Sequence, residues 1–205
     1  MSNILIAVKF IGLALAAVVV ASQPARAADG VRGEVAGGYS FLSVGTCSAQ
    51  TCTAGDTSET FPAGWFASGG AAVTDWLMAV GEVGGNYKSS SDSLGDVTAT
   101  ASLKLYAFLG GARVLRRSGH VTVFGQFLVG AAWSSAGVAA SGPGVSVDAH
   151  ATETDFCYQP GGGVDIDLSR HTTMRVGANV RFIPAGGTTS KELQVVTGLV
   201  YRFGR

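Results

Sequence analysis

At 205 residues, with 14 basic and 14 acidic side chains, the chain has no net formal charge and no basic surplus to attract nucleic acid. It is 47% hydrophobic with a mean hydropathy of +0.33, yet only 14% charged, where a soluble domain carries about 25%. Beyond its N-terminus no run approaches the roughly 18 apolar residues of a membrane helix, which leaves a membrane protein crossed by alternating strands.

Met1 to Ala27 has the form of a signal peptide. Lys9 supplies a positive n-region, Phe10 to Ala21 is uncharged and mostly apolar, and Ala25-Arg26-Ala27 is an A-x-A cleavage site. The alternative, a retained spanning helix, needs roughly 20 apolar residues. Removing these 27 of 205 residues leaves 178 in one domain, residues 28–205, and losing Lys9 and Arg26 leaves 12 basic against 14 acidic side chains.

Eight alternating segments follow. The first, about Glu34 to Val44, sets Val35, Gly37, Tyr39 and Phe41 against Glu34, Ala36, Gly38, Ser40 and Leu42. Thr46 to Pro62 reads as a polar loop containing Cys47 and Cys52, which are spaced to close a small disulfide in an exported chain and leave Cys157 free. Half a metal site is the other reading of CxxxxC, but no His lies in that loop.

Segment two, about Ala63 to Val73, alternates weakly, so its facing stays open. Segment three sets Leu77, Ala79, Gly81, Val83, Gly85 and Tyr87 against Met78, Val80, Glu82, Gly84 and Asn86. After a predicted loop, Lys88 to Asp96, segment four (about Val97 to Leu109) is read with Leu103, Leu105, Ala107 and Leu109 outward and Ser102, Lys104, Tyr106 and Phe108 inward. A tight turn at Arg116-Arg117-Ser118-Gly119 leads to segment five, where Val121, Val123, Phe127, Val129 and Trp133 oppose Thr122, Gln126, Gly130 and Ser134.

Ser135 to Thr152 is expected to be the longest loop. Segment six opposes Phe156, Tyr158, Val164, Ile166 and Leu168 to Asp155, Cys157, Gln159, Asp165 and Asp167. Segment seven opposes Met174, Val176, Ala178, Val180 and Phe182 to Arg175, Gly177, Asn179 and Arg181. Pro184 to Ser190 is a fourth loop. The closing segment places Leu193, Val195, Thr197, Leu199, Tyr201 and Phe203 on a greasy face, with Tyr201 and Phe203 as aromatics at a membrane interface.

Connections that alternate long and short, with an even strand count, predict an all-β fold: an eight-stranded antiparallel transmembrane barrel with short periplasmic turns, longer extracellular loops and both mature termini periplasmic. Closure removes the unpaired edges that hydrocarbon does not tolerate. A lipocalin-like soluble barrel would instead turn its apolar face inward around a ligand.

The segments VGEVGGNY (Val80 to Tyr87), YAFLGGARV (Tyr106 to Val114), VTVFGQFLVGAA (Val121 to Ala132), GGGVDIDLS (Gly161 to Ser169) and TGLVYRF (Thr197 to Phe203) resemble the small outer-membrane β-barrel family of the OmpA/OmpX type. The resemblance spans nearly the whole mature chain. It implies residence in the bacterial outer membrane, contact with its lipid and lipopolysaccharide, and insertion by the barrel-assembly machinery. No cofactor, metal or nucleic acid is expected.

Eight strands enclose a bore just wide enough for side chains. Glu34, Glu82, Lys104, Gln126, Asp165, Arg175, Asn179, Arg181 and Arg202 are expected to form a polar network there, with Met78, Tyr106, Phe108 and Phe124 as further filling. A small pore or ion path lined by the same groups is the alternative. Because some small outer-membrane barrels deacylate lipid A or transfer palmitate to it, a lipid-modifying enzyme is another. His120 and His171 fall on the predicted periplasmic turns, so only His150, near Ser146, Asp148 and Glu153, could serve it. The reading preferred is non-catalytic, with a structural or surface-interaction role.

Overall fold

The computed structural model describes residues 33–47, 59–94, 97–142, 145–185 and 188–204. In chain order the strands are β1 (Gly33–Cys47), β2 (Glu59–Phe61), β3 (Ala63–Ala72), β4 (Leu77–Leu94), β5 (Val97–Ser118), β6 (Val121–Gly142), β7 (Val145–Asp167), β8 (Thr172–Ala185) and β9 (Thr188–Phe203). Each pairs antiparallel with its neighbours, and β9 returns to β1 from Gly33↔Phe203 to Cys47↔Thr189. The sheet is closed.

Nine strands make eight staves, because β2 and β3 are two pieces of one. Both pair with β1, but the register steps from Tyr39↔Trp65 to Leu42↔Phe61, so Ser40 and Phe41 face Pro62, Ala63 and Gly64. This is a bulge at a proline that has no N–H to give the ladder. The loop expected over Thr46 to Pro62 therefore ends in strand at Glu59. Cys52 lies outside the described residues, as does the signal segment.

Three turns and both strand termini share one end. Thr74 Oγ1 accepts from Leu77 N at 3.1 Å in the β3–β4 link, and Ser169 Oγ accepts from Thr172 N at 3.1 Å in the β7–β8 link. Between β5 and β6 the chain reverses at Gly119-His120, where Gly119 takes φ 59°, a left-handed conformation suited to glycine.

The opposite end is taller than the sequence suggests. β4 and β5 pair as far as Leu94↔Val97, β5 and β6 to Thr98↔Ser141, and β6 and β7 to Gly142↔Val145. Yet β3 leaves β4 at Ala63↔Tyr87, and the β7–β8 ladder ends at Tyr158↔Phe182. A four-stranded sheet thus rises beyond the closed barrel. The loops predicted at Lys88 to Asp96 and Ser135 to Thr152 are mostly this sheet. Outside the bilayer both sheet faces meet water, so the alternation that marks a strand is lost.

Apolar side chains cover the outside: Phe108 is 57% exposed, Phe127 53%, Phe156 57% and Leu199 57%. That is the lipid-facing arrangement and the reverse of a lipocalin's. The facing read from sequence needs one correction, in β5. Ala107 and Leu109 are buried inside, whereas Phe108 and Lys104 are exposed outside and Tyr106 packs against Trp133 at 5.2 Å on the outer surface. Lys104, Tyr106 and Phe108 are therefore no part of the filling.

Candidate functional site: a filled lumen below an external sheet

The lumen has two sectors. Met78 and Val80 on β4, Ala107, Leu109 and Leu115 on β5, Phe124, Leu128 and Ala132 on β6 and Cys157 on β7 form one apolar cluster. The sector from β7 through β8 and β9 to β1 carries most of the buried charged and amide side chains, with Leu42, Val196 and Val200 also buried there. On the inward side of β5, Leu109 and Leu115 belong to the apolar cluster and Arg113 stands between them in sequence.

The largest ionic cluster lies toward the turn end. Glu34 on β1 accepts from Arg113 on β5 and, at 2.7 Å, from Arg175 on β8. Arg175 also clasps Asp165 on β7 with two hydrogen bonds, at 2.7 and 2.8 Å, and Arg202 on β9 reaches Asp165 at 2.8 Å and Asp167 at 2.9 Å. The guanidinium carbons of Arg113 and Arg175 each lie 4.8 Å from the Phe124 ring centroid. The one buried side-chain nitrogen without a hydrogen-bond partner among the described residues, Arg175 Nη1, belongs to that stacked group. A desolvated cation over an aromatic face is worth about 2 kcal/mol, which offsets part of the lost hydrogen bond.

From this cluster a file of amides climbs the barrel. Arg113 donates to Gln126 Oε1 at 2.9 and 2.7 Å, Gln126 to Asn179 at 3.0 Å, Asn179 to Gln194 at 3.1 Å, and Gln194 to Ser40 at 3.0 Å. Asn86 closes the file by donating to the Ser40 carbonyl at 3.1 Å. A second cluster joins Arg181 to Glu192 at 3.0 Å and to Gln159 at 2.9 Å, while Gln159 donates to Glu82 at 3.1 Å. Charge-assisted bonds of this kind, and above all the two-bond clasp of Arg175 on Asp165, are strong and fix geometry.

The structure thus brings Glu34, Glu82, Gln126, Asp165, Arg175, Asn179, Arg181 and Arg202 into the lumen and leaves Lys104 outside. Sequence reasoning left out Arg113, which lay beyond the end assigned to its segment, and Glu192, which lay at the start of the closing one. Extending β5 to Ser118 would have exposed the conflict, since Arg113 and Lys104 fall on opposite faces. Tyr201 is 53% exposed and stacks on His171 at 6.0 Å, and Phe203 is 45% exposed with its ring against Gly33.

At the other end, outward aromatics line up across neighbouring strands. Trp65 Nε1 donates to Tyr87 Oη at 3.1 Å, Tyr87 meets Tyr106 edge-on at 5.7 Å, and Tyr106 stacks on Trp133. Such a row marks the polar boundary of a bilayer.

Above it, Ser102, Gly137 and His150 stand side by side on β5, β6 and β7. A Cβ at Gly137 would lie 2.9 Å from His150 Nδ1 and 3.1 Å from Ser102 Oγ, so the imidazole occupies space a side chain would fill. Asp148 Oδ1 lies 2.9 Å from His150 Nε2, with both side chains open to solvent. No group of three or more His, Cys, Asp or Glu among the described residues could hold a metal.

A family model described as the outer membrane protein beta-barrel domain matches residues 12–203. Among solved structures, Ail of Yersinia pestis, in complex with the heparin analogue sucrose octasulfate, is similar at a TM-score of 0.57 and 14% identity, over 85% of this chain and 99% of its own. Neisserial surface protein A is similar at 0.53 and 13% identity, over 83% and 97%. The outer membrane protease OmpT of Escherichia coli is similar at 0.50 and 8% identity, over 89% and 100%. No curated protein matches by sequence. Identities this low speak for the fold alone, and with the family match over nearly the full length, the chain belongs to the outer membrane β-barrel domain family.

Proposed function

We propose that this is a non-catalytic outer-membrane barrel, closed to ions, whose task is to hold an external sheet at the cell surface for structural or interaction purposes. The observation that carries the reading is the burial inside the bore. Arg113 and Arg175 are 1% exposed, Gln194 1%, and Gln159 and Asp165 0%, so water has almost no access to the side chains a pore would need wet. In this reading Met1 to Ala27 is removed on export, the barrel-assembly machinery inserts the rest, and the turn end with both termini is periplasmic. The aromatic row then meets the outer leaflet and its lipopolysaccharide.

Planar bilayer recording on the purified barrel tests the closure. Rare, short events are expected; large, long-lived conductance steps would make a small diffusion pore the better account.

A second reading is favoured by one constellation, the Asp148–His150 pair beside Ser102. That arrangement could orient an imidazole as base for a serine near the lipid headgroups. The first reading is preferred because no hydrogen bond joins Ser102 to His150. Fatty-acid release from lipopolysaccharide, abolished by Ser102→Ala, would favour the enzyme.

A further inference from the structure

The external sheet has two open edges, and they differ. On β4 the edge beyond the last β3 pair is short and begins at Lys88. On β7 it is long: among the described residues, Val145 to Cys157 pair with β6 alone, since the β7–β8 ladder ends at Tyr158↔Phe182. Successive backbone groups of a strand point to opposite sides, so about half of the donors and acceptors in this run face outward from the sheet.

Proteins ordinarily blunt such an edge with lysine, proline, a bulge or short length. The run VSVDAHATETDFC has no lysine, proline or glycine, and its register with β6 is unbroken. It spans about 40 Å at roughly 3.3 Å per residue. Its side chains from Asp148 to Thr154 are exposed, and Phe156 is 57% exposed.

Charge decides what fits. Asp148, Glu153 and Asp155 lie on the run, with His150 beside Asp148 as its one basic side chain. A second copy of this chain, paired edge to edge, would set carboxylates against carboxylates. The sulfated heparin analogue bound by Ail would likewise meet acid rather than base. Lys or Arg side chains on an added strand would lie within cross-strand reach of these carboxylates.

We propose that Val145 to Cys157 is a β-augmentation site, which takes an extended basic segment of another protein as an additional strand beside β7. Main-chain hydrogen bonds supply the binding and the carboxylates select for base. The inference rests on the surface-interaction reading, but it fails separately, since a closed barrel without this site would still satisfy that reading.

The test uses the mature barrel in lipid nanodiscs and three eleven-residue peptides: one alternating Val and Lys, its counterpart N-methylated at alternate amides, and one with Glu for Lys. The Lys peptide is expected to slow amide hydrogen exchange within Val145 to Cys157. Its affinity is expected to fall at least tenfold for the Glu peptide, for the N-methylated peptide, and in the variant D148N/E153Q/D155N. Binding unaffected by N-methylation would reduce the effect to surface charge and overturn the proposal. So would protection confined to other strands. Sedimentation of the barrel alone is expected to show no self-association, and a dimer protecting the same amides would overturn it in favour of a second copy.

Discussion

Glu34 and Arg175 are 141 residues apart and meet at 2.7 Å inside the barrel. Glu34 stands on the first strand and Arg175 on β8, with β9 between them in the sheet, so the bond passes over β9 on the lumen side rather than following the ladder. It exists only after closure. Because Arg113 also donates to Glu34, one carboxylate ties three distant parts of the chain together.

Replacing Glu34 with Ala leaves two buried guanidinium groups short of a partner. Breaking a buried ion pair from one side costs about 3 to 5 kcal/mol. Unfolding of Glu34→Ala in detergent by urea should show a loss of that size. Lys104→Ala, exposed on the outside, should change stability by less than about 0.5 kcal/mol.

The facing of β5 can be read directly with a lipid-borne quencher. A fluorophore on a cysteine at position 108 should be quenched from the acyl chains, and one at 109 should not, in a Cys157→Ser background. Phe108→Arg should impair insertion by about 2 to 4 kcal/mol if it lies near the midplane. Quenching at 109 and not at 108 would restore the facing read from sequence.

Cys157 is 0% exposed among the apolar side chains of the lumen. It should resist maleimide in the folded barrel and react fully once the barrel is unfolded. Peptide mapping without reductant should find Cys47 joined to Cys52. A link from Cys157 to either would overturn that pairing.

The mass of protein taken from membranes should correspond to Ala28 to Arg205. Retention of Met1 to Ala27 would remove the case for a cleaved signal peptide.

Gly137→Ala tests the external sheet. Its Cβ would press on His150 Nδ1 and Ser102 Oγ, both under about 3.2 Å away. The imidazole should be displaced from Asp148, which nuclear magnetic resonance of the His150 ring would register as a changed environment. The strand register should survive, because the obstruction is side chain rather than backbone.

Much of the barrel was legible because the bilayer imposes a two-residue period. Along β8, Arg175, Asn179 and Arg181 alternate with Met174, Val176 and Val180, and only one phase keeps the charges away from lipid. The same logic failed on β5, where both faces are apolar and Lys104 was the sole charge within the segment as bounded from sequence, about Val97 to Leu109. Lys104 lies near the aromatic row, where a charge outside the barrel stays wet. The rule that charges point inward holds at the depth of the acyl chains and lapses at the headgroups.

By itself, then, the sequence determined the strand periodicity, the closure into eight staves and which side of most strands meets lipid, since each follows from the local alternation of side chains. Tertiary structure decided the partners: that Arg113 joins Glu34 and Gln126, that an apolar cluster gathers inside β4 to β7, and that the predicted loops rise as a paired sheet with an open edge on β7. Those depend on register and on contacts across the bore, and a one-dimensional pattern carries neither, because it records each strand's phase but not what stands opposite it.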